Sequence, residues 1–166
     1  DGSQFNAGAL LRMDGGILSA GGAQPLISLA GGDLNYVPDG SPTGNVLIGA
    51  KNGATITLGG SLLAAAGTTF AGPVPDALVG FSGASLTTGP GPVTGDAFGA
   101  LLDLRSATLI LDAGEGGLRP LLYMEDSSLT TVGPAVKLVG SSLTAHALMS
   151  LGVGSGGGNS LHFGGP

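Results

Sequence analysis

Apolar residues alternate with small or polar residues over short runs of the chain, for example at Leu102 and Leu104 and again at Leu122 and Met124. Alternation with a period of two predicts β-strands that bury one face. A longer phrase joins such runs: an apolar residue, small or polar residues, and a second apolar residue five positions on. It occurs at Met13 and Leu18, Leu29 and Leu34, Phe81 and Leu86, Leu104 and Leu109, Met124 and Leu129, and Leu138 and Leu143. We interpret the phrase as strand, bend, strand.

The recurrence of this phrase at intervals near twenty residues predicts a β-solenoid. Small residues fill the bends, where glycine adopts positive φ easily and neighbouring coils stack closely. A degenerate copy is expected near Ala50, with Thr55 or Ile56 as its second apolar position. We therefore expect an all-β parallel β-helix of about seven coils, roughly 35 Å long at about 4.8 Å per coil. The second apolar positions should form one continuous buried ladder of Leu18, Leu34, Leu86, Leu109, Leu129 and Leu143.

Turn signals also recur every eight to twelve residues, so a β-sandwich is the alternative fold. We expect a single solenoid domain over residues 1–153, followed by a glycine-rich tail or a last irregular coil over 154–166. Segments rich in Gly, Pro and Asp read as surface loops of variable length, and the binding loops should be among them. They are Val37–Asn45, Gly72–Asp76, Thr88–Gly99 and Asp112–Pro120.

Composition supports an all-β chain that folds. Thirty-four glycines and ten prolines in 166 residues disfavour helices, while 42% apolar and 10% charged residues are far from a disordered composition. The absence of cysteine excludes disulfides. Five basic residues are scattered among eleven acidic ones, which argues against nucleic-acid binding. No apolar run is long enough to span a membrane as a helix, so we expect no membrane insertion of this segment.

The phrases GALLRMDGGILSAGG, ALLDLRSATLILDAGEGG and PLLYMEDSSLTTVGP resemble coils of the right-handed parallel β-helix passengers of bacterial autotransporters and related large surface adhesins. The resemblance implies an extracellular or bacterial cell-surface location and a structural or adhesive role. The implied partners are other copies of the chain, additional coils of the same polypeptide, or a host-surface protein or glycan. It supplies no functional residue. A chain that begins at Asp1 without Met is expected to be a processed product or a fragment.

Acidic residues raise the alternative of a polysaccharide-active β-helix enzyme, a lyase or hydrolase, because such catalysis needs converging carboxylates. Asp103 and Glu125 are the candidates, and Arg105 and Lys51 are expected at neighbouring bend positions. Charged residues at solenoid corners more often form a solvated surface that contributes little to stability. We therefore expect a non-catalytic module with no catalytic residue, cofactor or metal site.

Three further features carry weaker signals. The segment GSGGGNSLHFGG resembles a calcium-binding nonapeptide repeat, but Asn159 and Ser160 stand where the ligating aspartate belongs. His146 and His162 have no partner at metal-ligand spacing. The threonines do not form a regular T-x-T array, and pairs such as Thr55 with Thr57 are expected to be isolated.

Overall fold

The computed structural model describes residues 4–37, 46–71, 76–90, 99–111, 120–152, 154–155 and 157–164. Their strands follow one another in successive coils. After β1 (Gln4–Ala7), the first coil contains β2 (Leu11–Asp14), β3 (Ile17–Ala20), β4 (Ile27–Ala30) and β5 (Asp33–Tyr36). The second contains β6 (Val46–Lys51), β7 (Thr55–Leu58), β8 (Leu63–Ala66) and β9 (Thr69–Ala71). The third contains β10 (Ala77–Ser82), β11 (Ser85–Thr88), β12 (Leu102–Arg105) and β13 (Thr108–Ile110). The fourth contains β14 (Pro120–Glu125), β15 (Ser128–Thr131), β16 (Val136–Val139) and β17 (Ser142–Thr144), and β18 (Ala147–Gly152) and β19 (Ser160–Phe163) follow.

Each strand pairs with the strand four places later in the chain, which builds four stacked sheets. Sheet A has the order β1-β5-β9-β13-β17, sheet B β2-β6-β10-β14-β18, sheet C β3-β7-β11-β15-β19 and sheet D β4-β8-β12-β16. Every strand pairing among the described residues is parallel. The predicted parallel β-helix is therefore confirmed, and the β-sandwich alternative is wrong. Within the described ranges there is no helix of the length and apolar character that a membrane span requires.

The number of coils differs from the prediction. The described strands make four complete coils, flanked by β1 at one end and by β18 and β19 at the other. The expected seven coils are wrong because each four-sided coil contains the strand-bend-strand phrase twice, once between sheets B and C and once between sheets D and A. The first and last strands of a five-stranded sheet are consequently about 19 Å apart, at about 4.8 Å per strand.

Two corners of the coil depend on a residue with left-handed backbone conformation. The corner residues have φ between 47° and 70°, a region that glycine adopts at little cost. They are Gly15, Asn52, Gly83 and Asp126 between sheets B and C, and Gly31, Gly67, Ser106 and Gly140 between sheets D and A. The N–H of one corner residue donates to a carbonyl of the adjacent coil, as Gly83 N does to Glu125 O at 2.8 Å. The small bend residues of the phrase therefore occupy these corners.

The core consists of stacked apolar side chains from all four sheets, but the predicted single ladder is two ladders. Strand register places the second apolar positions alternately on sheets C and A. On sheet C they are Leu18, Ile56, Leu86, Leu129 and Leu161; on sheet A they are Phe5, Leu34, Phe70, Leu109 and Leu143. Ile56, and not Thr55, is thus the second position of the degenerate copy. Ala65 with Phe70 forms a further copy that the sequence pattern did not reveal.

The connections between coils are unequal in length. Most residues of the four predicted variable loops lie outside the described residues, including 38–45, 72–75, 91–98 and 112–119. The prediction that binding loops are among them stays a prediction.

Candidate functional site

The outer face of sheet B carries a groove with two glycines at its centre. Arg12, Gly49, Gly80, Tyr123 and Ser150 follow one another across the five strands in register. The groove lined by this row has a volume of about 820 Å³, which lies within the usual range for small-molecule sites. Two of the central positions of the row are glycines, and larger side chains stand on both sides of them.

Val46 packs over the glycine floor. A Cβ atom at Gly49 would lie 2.7 Å from Val46 Cγ2, and one at Gly80 would lie 2.9 Å from Val46 Cγ1. Real Cβ atoms do not approach other atoms so closely, and the two glycines are therefore required for Val46 to lie flat on the sheet. The result is an apolar floor made by one side chain above two glycines.

Charged and polar side chains form one rim of the groove at the carboxyl ends of the strands. Asp14, Lys51, Ser82 and Glu125 are in register there. Lys51 Nζ lies 3.1 Å from Asp14 Oδ2, and Asn52 Nδ2 donates to Asp14 Oδ1 at 2.6 Å. The hydrogen bond from Asn52 and then the contact with Lys51 hold the pKa of Asp14 below its ordinary value. The lysine charge is thus largely balanced at this end of the rim.

At the other end of the groove Tyr123 and Glu125 act as a pair. Tyr123 Oη donates to Glu125 Oε2 at 3.3 Å, and Ser82 Oγ donates to the same oxygen at 3.5 Å. Partial burial, reinforced by the Glu125 charge and hydrogen bond, raises the pKa of Tyr123 above its ordinary value. The phenol is therefore neutral and a hydrogen-bond donor at physiological pH.

Tyr123 also contacts a glycine on the next strand. A Cβ atom at Gly152 would lie 2.7 Å from Tyr123 Oη and 3.3 Å from Cζ. The phenol end of Tyr123 therefore lies against Gly152 on the neighbouring strand β18.

The candidate catalytic residues do not converge. Lys51 and Glu125 share the rim of sheet B, two strands apart, about 10 Å at the Cα atoms. Asp103 and Arg105 lie instead on sheet D, where they form an ion pair at 3.0 Å, so the expectation that Arg105 neighbours Glu125 is wrong. Asp14 and Glu125 are three strands apart, about 14 Å, which exceeds the carboxylate separations of retaining and inverting glycosidases.

The glycine-rich segment before β19 closes the last corner. Gly158 N donates to Asp126 Oδ1 at 3.0 Å, Ser127 N donates to Asn159 Oδ1 at 3.1 Å, and Asn159 Nδ2 donates to Gly152 O at 2.7 Å. Asn159 thus satisfies backbone groups of the corner. Across the described ranges, no group of three or more His, Cys, Asp or Glu residues is arranged to hold a metal ion; His146 and His162 are exposed.

The outer face of sheet C carries hydroxyl groups in two regular files, which the sequence did not reveal. One file contains Thr55, Ser85, Ser128 and Ser160, and the other contains Ser19, Thr57, Thr87 and Thr130. The expectation that the threonine pairs are isolated is therefore wrong. Loops of unequal length separate these residues along the chain, and only the strand register aligns them.

Comparisons of the chain with models of protein families, with curated proteins and with solved structures found no match. The sequence offers Tyr36 and Tyr123 as polar aromatic residues that could stack on a sugar, without a sign that they share a face. The structure buries Tyr36 on sheet A and places Tyr123 in the groove, whereas Gly49 and Gly80 were not singled out from the sequence. One signal was available: VLIGAK and ALVGFS both place a glycine inside an apolar strand, where glycine often marks a close approach.

Proposed function

We propose that this chain is a non-catalytic structural and adhesive β-solenoid module of an extracellular or bacterial cell-surface protein, of the kind built by autotransporter passengers. In this function its terminal coils stack against further parallel coils, either of another copy or of the same polypeptide. The observation that carries the proposal is the exposure of core positions at both ends of the stack.

The same ladder position is buried inside the stack and exposed at its ends. On sheet A, Phe5 is 56% exposed whereas its register partner Leu34 is 3% exposed. On sheet B, Leu151 is 49% exposed whereas Met124 is fully buried. Each terminal strand also has a single paired neighbour among the described strands. Apolar side chains beside an unpaired strand edge favour association with another strand.

The cross-sections of the two ends match. Both ends present the same four sheets in parallel orientation, with apolar residues at the inward positions, as with Leu18 at one end and Leu161 at the other. A head-to-tail copy would therefore continue sheets A, B and C in register. Repeat proteins of this kind require a terminal cover for solubility.

The proposal is tested by measuring the mass and length of the purified chain against concentration, by analytical ultracentrifugation and small-angle X-ray scattering. We expect association that lengthens the particle along one axis. Leu151→Lys should weaken it because the charge enters the end face. Ile110→Lys is the matched control, since Ile110 is equally exposed but lies on the side of an inner coil.

Two results would contradict end association. One is a chain that stays monomeric at millimolar concentration with terminal-strand amides as protected from hydrogen exchange as those of β10. The other is an equal effect of the two lysine variants on the association constant.

A further inference from the structure

We infer that the groove on the outer face of sheet B binds a short neutral oligosaccharide, with Tyr123 as the stacking platform for one sugar ring and Glu125 as an acceptor for its hydroxyl groups. The inference deepens the adhesive part of the proposed function and rests on it for its biological use. The binding itself follows from the groove.

Tyr123 has the geometry of a stacking platform. Its phenol end lies against Gly152, where a Cβ atom would come within 2.7 Å of Oη, and its hydroxyl donates to Glu125. These two contacts hold the phenol end of the side chain, and the residue lines the groove. Aromatic rings combine an apolar face with a polar edge, and this matches the alternation of C–H faces and hydroxyl edges in a pyranose.

Glu125 supplies hydrogen-bonding capacity beside that ring. Both of its hydrogen bonds, from Tyr123 and from Ser82, reach Oε2 and are long. Its second oxygen, Oε1, accepts no hydrogen bond from the described residues. An ionised carboxylate has room for about four donors, so a sugar diol placed against the ring finds an acceptor at its edge.

The length of the groove suits a chain of sugars more than a single sugar. Its row of outward positions runs from Arg12 to Tyr123 over three strand spacings, about 14 Å. Between them the apolar side chain of Val46 covers Gly49 and Gly80. A linear oligosaccharide can lie across the strands on this floor.

Charge favours a neutral ligand over an acidic one. The rim carries Asp14 and Glu125, and Asp76 lines the groove as well. Lys51 is engaged by Asp14 at 3.1 Å. Arg12 is the other basic residue of the lining, and the two basic residues are outnumbered by the three acidic ones, which leaves no surplus of positive charge to attract a polyuronate or a sulfated glycan.

An extended peptide fits the groove less well. Gly49 is in register with both Arg12 and Gly80, so the backbone of the floor is already paired on both sides. Strand addition needs a free sheet edge, and the floor is the face of a sheet. A peptide would have to bind without main-chain pairing.

The test is titration of the full chain with maltohexaose, cellohexaose and chitohexaose, followed by NMR of the Tyr123 ring and by calorimetry, with hexagalacturonate and an extended serine-threonine peptide as competitors. We expect at least one neutral hexaose to bind with a dissociation constant in the millimolar range or below. Tyr123→Ala should weaken binding about tenfold, the loss of roughly one aromatic contact. Tyr123→Phe should retain most of it, and Thr87→Ala on sheet C is the matched control with no effect.

The inference is overturned if no neutral hexaose binds at millimolar concentration, if Tyr123→Ala binds as the unmodified chain does, or if hexagalacturonate or the peptide binds in preference. These failures are distinguishable from failure of the proposed function. Tyr123→Ala lies on the side of the stack and should leave end association unchanged. Phe5→Lys, at the opposite end of the stack and on sheet A, should weaken association and leave hexaose binding unchanged.

Discussion

Ser127 and Ser141 lie at two different corners of the same coil and play the same role. The hydroxyl of Ser127 accepts the backbone N–H of Ala84 at 3.1 Å, and that of Ser141 accepts the N–H of Ala107 at 3.0 Å. Each hydroxyl also donates to one backbone carbonyl, Ser127 to Glu125 O at 2.7 Å and Ser141 to Leu104 O at 2.8 Å. Both serines follow a residue with positive φ, where the chain turns and the N–H of the preceding coil finds no carbonyl opposite it. The two halves of a coil are therefore built alike.

Removal of the Ser127 hydroxyl should be costly. Ser127→Ala leaves the N–H of Ala84 without its partner in a buried corner, and an unsatisfied buried donor costs about 1 to 3 kcal/mol. Ser128→Ala is the matched control, because Ser128 is on the outer face of sheet C, and substitutions there usually change stability by less than about 0.5 kcal/mol. Urea denaturation measures the difference. Equal midpoints for the two variants would show that the corner hydrogen bond contributes nothing.

Ser106 should be replaceable by glycine with a gain in stability. It has φ of 49° at a corner where Gly31, Gly67 and Gly140 stand in the other coils. A non-glycine residue in this conformation costs roughly 1 to 2 kcal/mol, partly offset by the greater backbone entropy that glycine loses on folding.

We expect Ser106→Gly to stabilise the fold by about 0.5 kcal/mol and Ser106→Val to destabilise it, because β-branched residues tolerate positive φ poorly. Thermal unfolding of the two variants checks this. A valine variant as stable as the glycine variant would contradict the argument.

Much of the local structure could be predicted from the sequence. The alternation of apolar residues predicted strands around Leu102 with Leu104 and around Leu122 with Met124, and these residues lie in Leu102–Arg105 and Pro120–Glu125. The predicted bend and loop began and ended one residue off, since Arg105 and Pro120 belong to these strands. Strands and bends are determined by residues that are close together in the chain, and their periodicity is visible in the sequence itself.

The number of coils and the groove could not be predicted from these local patterns. Leu86 and Leu109 have the same spacing within their phrases, yet strand register puts one on sheet C and the other on sheet A. Likewise, Tyr123 meets Gly152 only because β14 pairs with β18, after the intervening strands β15, β16 and β17. The coil count and the groove depend on the register between strands that are distant in the chain. Because the loops between strands differ in length, this register does not appear as a regular spacing in the sequence.

The contact between Tyr123 and Glu125 predicts how the Tyr123 phenol titrates. Because burial and then the Glu125 charge raise the pKa of this phenol, it should ionise above the ordinary value of 10.0. Glu125→Gln should lower the pKa of Tyr123 while leaving it raised, since burial remains. NMR of the Tyr123 ring carbons against pH measures this, with Ser150→Ala as the control. A pKa unchanged by Glu125→Gln would mean that the carboxylate is not close to the phenol in solution.

The pKa of Asp14 is shifted in the opposite direction, and the shift affects stability at acidic pH. The hydrogen bond from Asn52 and the contact with Lys51 lower the pKa of the folded state below the ordinary 3.8, so their stabilisation is present above the unfolded-state pKa. It is lost as the pH falls through the folded-state pKa. Asn52→Gly removes the hydrogen bond but keeps the positive φ of the corner, as in Gly15 and Gly83.

We expect Asn52→Gly to raise the pKa of Asp14 toward its ordinary value, measured by NMR of the side-chain carboxyl carbon. Ser106→Gly makes the same backbone change at a corner on another sheet and should leave this pKa unchanged. Because Lys51 still faces the carboxylate in the Asn52→Gly variant, the pKa of Asp14 should stay somewhat below its ordinary value. High salt should reduce this remaining shift, because it screens the lysine charge. A pKa that does not respond to Asn52→Gly would contradict the hydrogen bond as the main cause.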